Sequence, residues 1–171
     1  MTRGALPAPA ALTIGQARAA DYPAILELNE RAVPSVNLIG PETLRRLHGQ
    51  ATYLGVARCA GDLAGFLLAL PQNADYQSMN FQYFRKRYAT FAYVDRIVVA
   101  EHWRGRGVGA ALYGDLEAHL GRDVPLLACE VNVRPPNPGS MRFHRRLGFR
   151  AVGSHDTEGG TKRVALLIRT L

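Results

Sequence analysis

Between Arg104 and Gly109 the chain reads Arg-Gly-Arg-Gly-Val-Gly. Three glycines at alternate positions bare their backbone N–H groups and permit conformations that side chains forbid. A helix follows at once: Val108, Leu112, Leu116 and Leu120 recur every four residues, Ala111 widens the stripe and Gly121 stops it. The unpaired N–H groups of its first turn and the positive end of its dipole aim at the glycine turn, which makes an anion site of the kind that holds phosphate. Two carboxylates stand inside apolar, strand-like runs. Glu130 lies among Leu127, Ala128, Cys129 and Val131, and Asp95 is followed directly by Arg96. Desolvation raises the proton affinity of a carboxylate in such surroundings, which suits a general base working near neutral pH. For each, an ion pair or hydrogen bond within the sheet is the competing reading.

The spacing Arg104-x-x-Gly107-x-Gly109 fits the Gln/Arg-x-x-Gly-x-Gly/Ala pyrophosphate signature of the GNAT acetyltransferase superfamily, which this sequence resembles. Ile97-Val98-Val99, just upstream, resembles that family's fourth strand, whose backbone pairs with the pantetheine arm of acetyl-CoA. Downstream, residues 137–149 resemble the block Asn-x-x-Ala/Ser-x-x-Phe/Leu-Tyr-x-x-x-Gly-Phe, with Asn137 and Ser140 in place and His144 where tyrosine is usual.

The resemblance implies a mixed, mostly antiparallel α/β (α+β) fold: a central sheet of six to seven strands, splayed between the fourth and fifth, with helices on both faces. It implies an N-acetyltransferase in which an amine attacks the thioester of acetyl-CoA directly, without an acyl-enzyme. Acetyl-CoA is then the co-substrate, held by the backbone of Ile97, Val98 and Val99, by the loop Arg104, Gly105, Arg106, Gly107, Val108 and Gly109, and by Asn137, Ser140 and His144. A backbone N–H near Val99, freed by the splay, is expected to polarise the carbonyl. Glu130 falls near a position where some members carry a catalytic glutamate, although Pro135-Pro136 blurs the register, and Asp95 is the second candidate base. His144 is the candidate acid at the sulfur, since imidazole donates a proton near neutral pH more readily than phenol. The competing reading for His144 is an exposed helical position. The acceptor amine, on a small molecule, peptide or protein, is not legible, and because relatives often pair, a homodimer is an open expectation. The histidine for tyrosine keeps a second function in view, a non-catalytic acyl-CoA-binding or sensing module.

Composition bounds the alternatives. A chain of 171 residues can bury a real core as one domain. The net charge of +7 suits an anionic partner such as coenzyme A, and the basic residues are scattered with no long run and no zinc-type Cys/His spacing, so nucleic acid is not expected. His48, His102, His119 and His155 have no ligand spacing, so no metal is expected. Cys59 and Cys129 sit in apolar stretches as small buried side chains, not a disulfide framework. Prolines at 7 and 9 break any leader-like run, and no segment approaches the ~18 apolar residues of a membrane helix, so the expected location is the cytoplasm. Gly105-x-Gly107-x-x-Ala110 also meets the loose dinucleotide fingerprint, but residues 100–104 intervene after the strand and the chain cannot supply repeated βαβ units.

Residues 1–11 read as a disordered extension and 12–171 as a single domain. A strand over 12–18 precedes a helix opened by Asp21-Tyr22-Pro23, with Asp21 as cap and Ile25, Leu26, Leu28 and Ala32 facing inward until Pro34. A second helix runs from Pro41 to Gly49. Strands over 52–59 and 63–70 flank the hairpin turn Ala60-Gly61-Asp62. The segment 71–90 is long for a connection and carries Tyr76, Phe81, Tyr83, Phe84 and Tyr88 beside Arg85, Lys86 and Arg87. Phe81, Phe84 and Tyr88 have helical spacing, and the segment reads either as aromatic packing or as a lid over the acceptor. Strands follow at 93–99 and 126–133. Asn137 caps a helix with Phe143 and Leu147 inward, and strands over 149–155 and 162–170 close the chain.

Overall fold

In the computed structural model residues 11–171 are described, so nearly all of the expected N-terminal extension lies outside the described residues. The elements are β1 (Leu12–Gln16), α1 (Tyr22–Arg31), α2 (Pro41–Gln50), β2 (Tyr53–Cys59), β3 (Asp62–Pro71), α3 (Met79–Arg85), β4 (Ala92–Val99), α4 (Val108–Leu120), β5 (Leu126–Arg134), α5 (Pro138–Arg146), β6 (Arg150–Thr157) and β7 (Lys162–Thr170). The strands form one seven-stranded sheet in the order β1-β2-β3-β4-β5-β7-β6. Every neighbouring pair is antiparallel except β4 and β5.

That exception creates the site. β4 and β5 run parallel and share only Ala92↔Leu127 and Tyr93↔Ala128, after which they part. β5 continues with β7 as far as Arg134↔Arg163, and β4 with β3 as far as Val99↔Gly65, so each strand keeps one partner while the gap opens. The register between β3 and β4 also skips Asp95, passing from Leu68↔Arg96 to Ala69↔Val94. A bulge of this kind re-aims side chains. Tyr93 and Val98 thereby belong to one core, and Val94, Ile97 and Val99 pack against the other.

The first core joins the sheet to Ile25 and Leu28 of α1, Leu44 and Leu47 of α2, and Phe81 and Phe84 of α3. The second joins the opposite face to Val108, Leu112, Tyr113 and Leu116 of α4, with Phe143 of α5 and Leu147 just after it packed against it. Asp21 does not cap α1. Its Oδ2 accepts from the Arg18 amide at 2.7 Å and its Oδ1 binds the Arg58 guanidinium, so the carboxylate ties a short turn to β2. α1 also buries Asn29, which the apolar stripe did not announce.

The segment 71–90 sends Ala74, Phe81 and Phe84 into the core. Ser78 caps α3, its Oγ accepting from the Phe81 amide at 3.4 Å, and Phe81 and Phe84 are fully buried. Tyr83 donates to the Val152 carbonyl at 3.0 Å, bolting α3 to β6. Phe84→Ala is expected to lower unfolding stability by about 3–5 kcal/mol, read from the midpoint of chemical denaturation. A shift of less than about 1 kcal/mol would show that α3 merely rests on the sheet.

Candidate active site

The gap between β4 and β5 opens into a cavity of about 1000 Å3. At one end it is walled by β4 from Val94 to Val99, by the loop into α4 and by the first turns of α5. At the other it is walled by the turn after α1, by residues 75–80 before and within α3, and by the β6–β7 turn.

The three glycines of the loop serve different ends. Gly105 (φ 72°) and Gly107 (φ 82°) adopt left-handed backbone that L side chains resist, and Gly107 is the N-cap of α4. Gly109 is there for space: a Cβ would lie 2.8 Å from the Phe143 ring, so its absence lets α5 close on α4. The first helical bond runs from the Ala111 amide to the Gly107 carbonyl, at 2.9 Å, which leaves the amides of Val108, Gly109 and Ala110 ahead of it. Arg104 lines the cavity and its Nε donates to the Val99 carbonyl at 3.1 Å, fastening the loop to the end of β4. Arg106 turns instead to the Trp103 ring, 5.2 Å from its centroid. The Ala100 amide donates to the Ala64 carbonyl on β3, at 2.9 Å. Strand amides alternate sides, so that of Val99 faces the gap. Asn137 spends its Oδ1 on the Ser140 amide (3.2 Å), capping α5 at the cavity wall.

The two carboxylates differ sharply. Asp95 is spent: its Oδ1 accepts from the Tyr76 hydroxyl at 2.5 Å, its Oδ2 pairs with Arg96 Nε at 2.7 Å, and its side chain is 3% exposed. Glu130 lines the cavity and accepts from the Tyr93 hydroxyl at 2.6 Å, with Asn80 of α3 as a second partner. His155 holds Asn80 through its Oδ1, at 2.5 Å, and so turns the amide nitrogen towards Glu130. Burial pushes the Glu130 carboxyl up to about 7, against the pull of these donors, and the neighbouring Asp95 charge adds to the rise. Burial and the Glu130 charge in turn hold Tyr93 far above the usual phenol range, so it remains a donor.

His144 is buried, 2% exposed, whereas Phe143 and Leu147 are only partly so. Its Nδ1 lies 2.8 Å from the Ser140 carbonyl, which can only accept, so Nδ1 carries the proton and Nε2 accepts from the Tyr113 hydroxyl at 2.9 Å. Burial pulls its pKa down, so the ring is neutral at pH 7. The exposed helical position is thus corrected: the ring is buried, and its Nδ1 faces the Ser140 carbonyl. Tyr93, Tyr76, Asn80, Arg96 and Tyr113 were not read from the sequence as site residues. The insertion's aromatics hinted at Tyr76 and the ion-pair reading of Asp95 at Arg96, whereas Tyr93, Asn80 and Tyr113 act through partners distant in the chain. Among the described residues no three His, Cys, Asp or Glu side chains gather as a metal-binding group, and no helix is long and apolar enough to cross a membrane.

A splayed mixed sheet with a glycine loop opening a helix at the gap defines the acetyltransferase class of α/β folds. The chain belongs to the Acetyltransferase (GNAT) family, whose model matches residues 22–149. Among solved structures it is similar to Ard1 from Thermoplasma volcanium (18% identity, TM-score 0.75, covering 94% of this chain and 97% of that one). It is also similar to NAA60 of Arabidopsis thaliana in complex with a bisubstrate analogue (17%, TM-score 0.73, 94% and 98%). A third is yncA, a putative acetyltransferase of Salmonella typhimurium, with its cofactor acetyl-CoA (20%, TM-score 0.68, 94% and 94%). The search of curated proteins found no match.

Proposed function

We propose that this protein transfers the acetyl group of acetyl-CoA to an amine by direct attack within a ternary complex, with Glu130 as the general base. The observation that carries the reading is a cavity-lining carboxylate poised at about 7, in the same gap as the loop of Gly105 and Gly107.

The residues fit acetyl-CoA. The amides ahead of the first α4 bond and the α4 dipole suit the diphosphate, with Arg104, Arg106 and the loop glycines around it. The free edge of Ile97, Val98 and Val99 suits the pantetheine arm, beside Asn137 and Ser140, and the Val99 amide suits the developing oxyanion. Glu130, directly or through water, takes a proton from the acceptor ammonium. The amine lone pair then forms the C–N bond, the second N–H proton of the attacking nitrogen passes to solvent, the C–S bond breaks and its electron pair leaves on sulfur. Solvent protonates the thiolate, because the His144 proton is engaged. His144, backed by Tyr113, forms part of the wall beside the sulfur. Asp95 holds Arg96 and Tyr76 and takes no proton. The protein acts in the cytoplasm, where acetyl-CoA is available.

Purified protein given acetyl-CoA and a broad panel of amines is expected to release free thiol in step with acetylated amine, with a rate that rises through about pH 7. Tight acetyl-CoA binding with no thiol release across the panel would favour a sensing module, which the histidine in the tyrosine slot keeps as the second reading.

A further inference from the structure

Arg96 is the unusual residue of the acceptor end. It lines the cavity yet is only 6% exposed. Its Nε is spent on Asp95 (2.7 Å), and its Nη1 on Asn29 Oδ1 (2.8 Å) and the Asn37 carbonyl (3.1 Å). Among the described residues Nη2 has no protein partner. It is not sealed away either: among the described residues the one fully enclosed side-chain polar atom without a partner is Trp103 Nε1. Nη2 therefore opens into the cavity, a fixed N–H donor on a cation whose charge Asp95 already matches. The bulge at Asp95 lets β4 present Tyr93 and Arg96 to the same side, and Tyr93 holds Glu130 there. Arg96 is close enough for its charge to act on the Glu130 carboxyl.

We propose that Arg96 Nη2 reads the acceptor, donating to an oxygen on the carbon next to the one that bears the reacting amine, so that the acceptor is an α-aminoacyl compound. The inference rests on the transferase reading above. An amine delivered to Glu130 places its neighbouring carbonyl or carboxylate within the part of the cavity that Arg96 serves. A polyanion does not suit the position, because only one donor nitrogen remains and two carboxylates stand beside it. A plain alkylamine leaves the donor without a partner, and a site built to bond a substrate group discriminates strongly against an analogue that lacks it. Free amino acids and peptide N-termini share the required oxygen.

The test compares alaninamide, alanine and isopropylamine, which share the amine and its methyl-bearing carbon. In Arg96→Lys, which keeps the charge beside Asp95 but loses the fork, the kcat/KM ratio of alaninamide to isopropylamine is expected to fall at least about tenfold from wild type. Comparing ratios cancels the differences in amine basicity. If alanine loses as much as alaninamide, the partner is any α-oxygen; if alaninamide alone loses, it is the peptide type of carbonyl. A structural role for Arg96 lowers all three acceptors together and leaves the ratios intact, which overturns the proposal. Arg96→Gln with Asp95→Asn repeats the comparison without an unpaired charge, should the lysine variant fold poorly. Should the wild type turn over none of the three, the transferase reading is judged separately on the broad amine panel. Calorimetry on the coenzyme A complex then decides the role of Arg96: N-acetylalaninamide binding tighter than N-isopropylacetamide, with the preference lost in the variant, sustains it, and equal binding ends it.

Discussion

Glu130→Gln is expected to lower kcat by about 100- to 10,000-fold, the usual worth of a positioned general base, while acetyl-CoA affinity stays near wild type. In wild type the base works only as carboxylate. With its pKa at about 7, activity falls roughly tenfold for each pH unit below that value and levels off above it. In the glutamine variant that acid limb disappears. The same substitution carries an opposite signature in stability. The folded carboxyl titrates at about 7 and the unfolded one near 4.5, so between those values the native state holds the extra proton. Wild-type stability therefore falls as pH rises through this window, by as much as about 3 kcal/mol. Glutamine, which still accepts from Tyr93, escapes that loss, so the variant gains stability over wild type at pH 8 compared with pH 5. An inactive variant that is also less stable at pH 8 would indicate a structural carboxylate, and an unchanged pH–rate profile would remove Glu130 as base.

Gly107→Glu is the counterpart at the other end of the cavity. The residue is exposed, with open space where a Cβ would point, but its φ of 82° is one that side chains resist at a cost of about 1–3 kcal/mol. Relief of that strain turns the amides away from the ligand, and a carboxylate placed before the α4 N-terminus repels the diphosphate. Acetyl-CoA affinity is expected to fall about 100-fold or more by calorimetry, with kcat/KM falling in parallel. The thermal midpoint should move by only a few degrees, because no core contact is involved. Undiminished affinity would show that the loop does not hold the coenzyme.

The order of strands and helices was legible because it rests on local rules. The stripe Val108, Leu112, Leu116 with Gly121 marks α4, Asn137 and Pro138 mark the start of α5, and Ala60-Gly61 marks the turn between β2 and β3. Where a polar group had a choice of partners, local rules failed. Asp21, read as a cap, bonds Arg18 and Arg58 instead.

The sequence by itself determined the family, the glycine loop and the positions of two carboxylates and a histidine, since motif spacing and periodicity are properties of neighbouring residues. Tertiary structure alone decided which carboxylate carries an ion pair: Asp95 is bonded by Tyr76 and Arg96, while Glu130 is desolvated in the gap and held by Tyr93. It also decided that His144 spends its proton inside the protein and that Arg96 keeps one nitrogen in hand. Protonation and bonding are set by burial and by partners brought from Asn29, Tyr76, Asn80 and Tyr113, and such proximity exists only once the chain has folded.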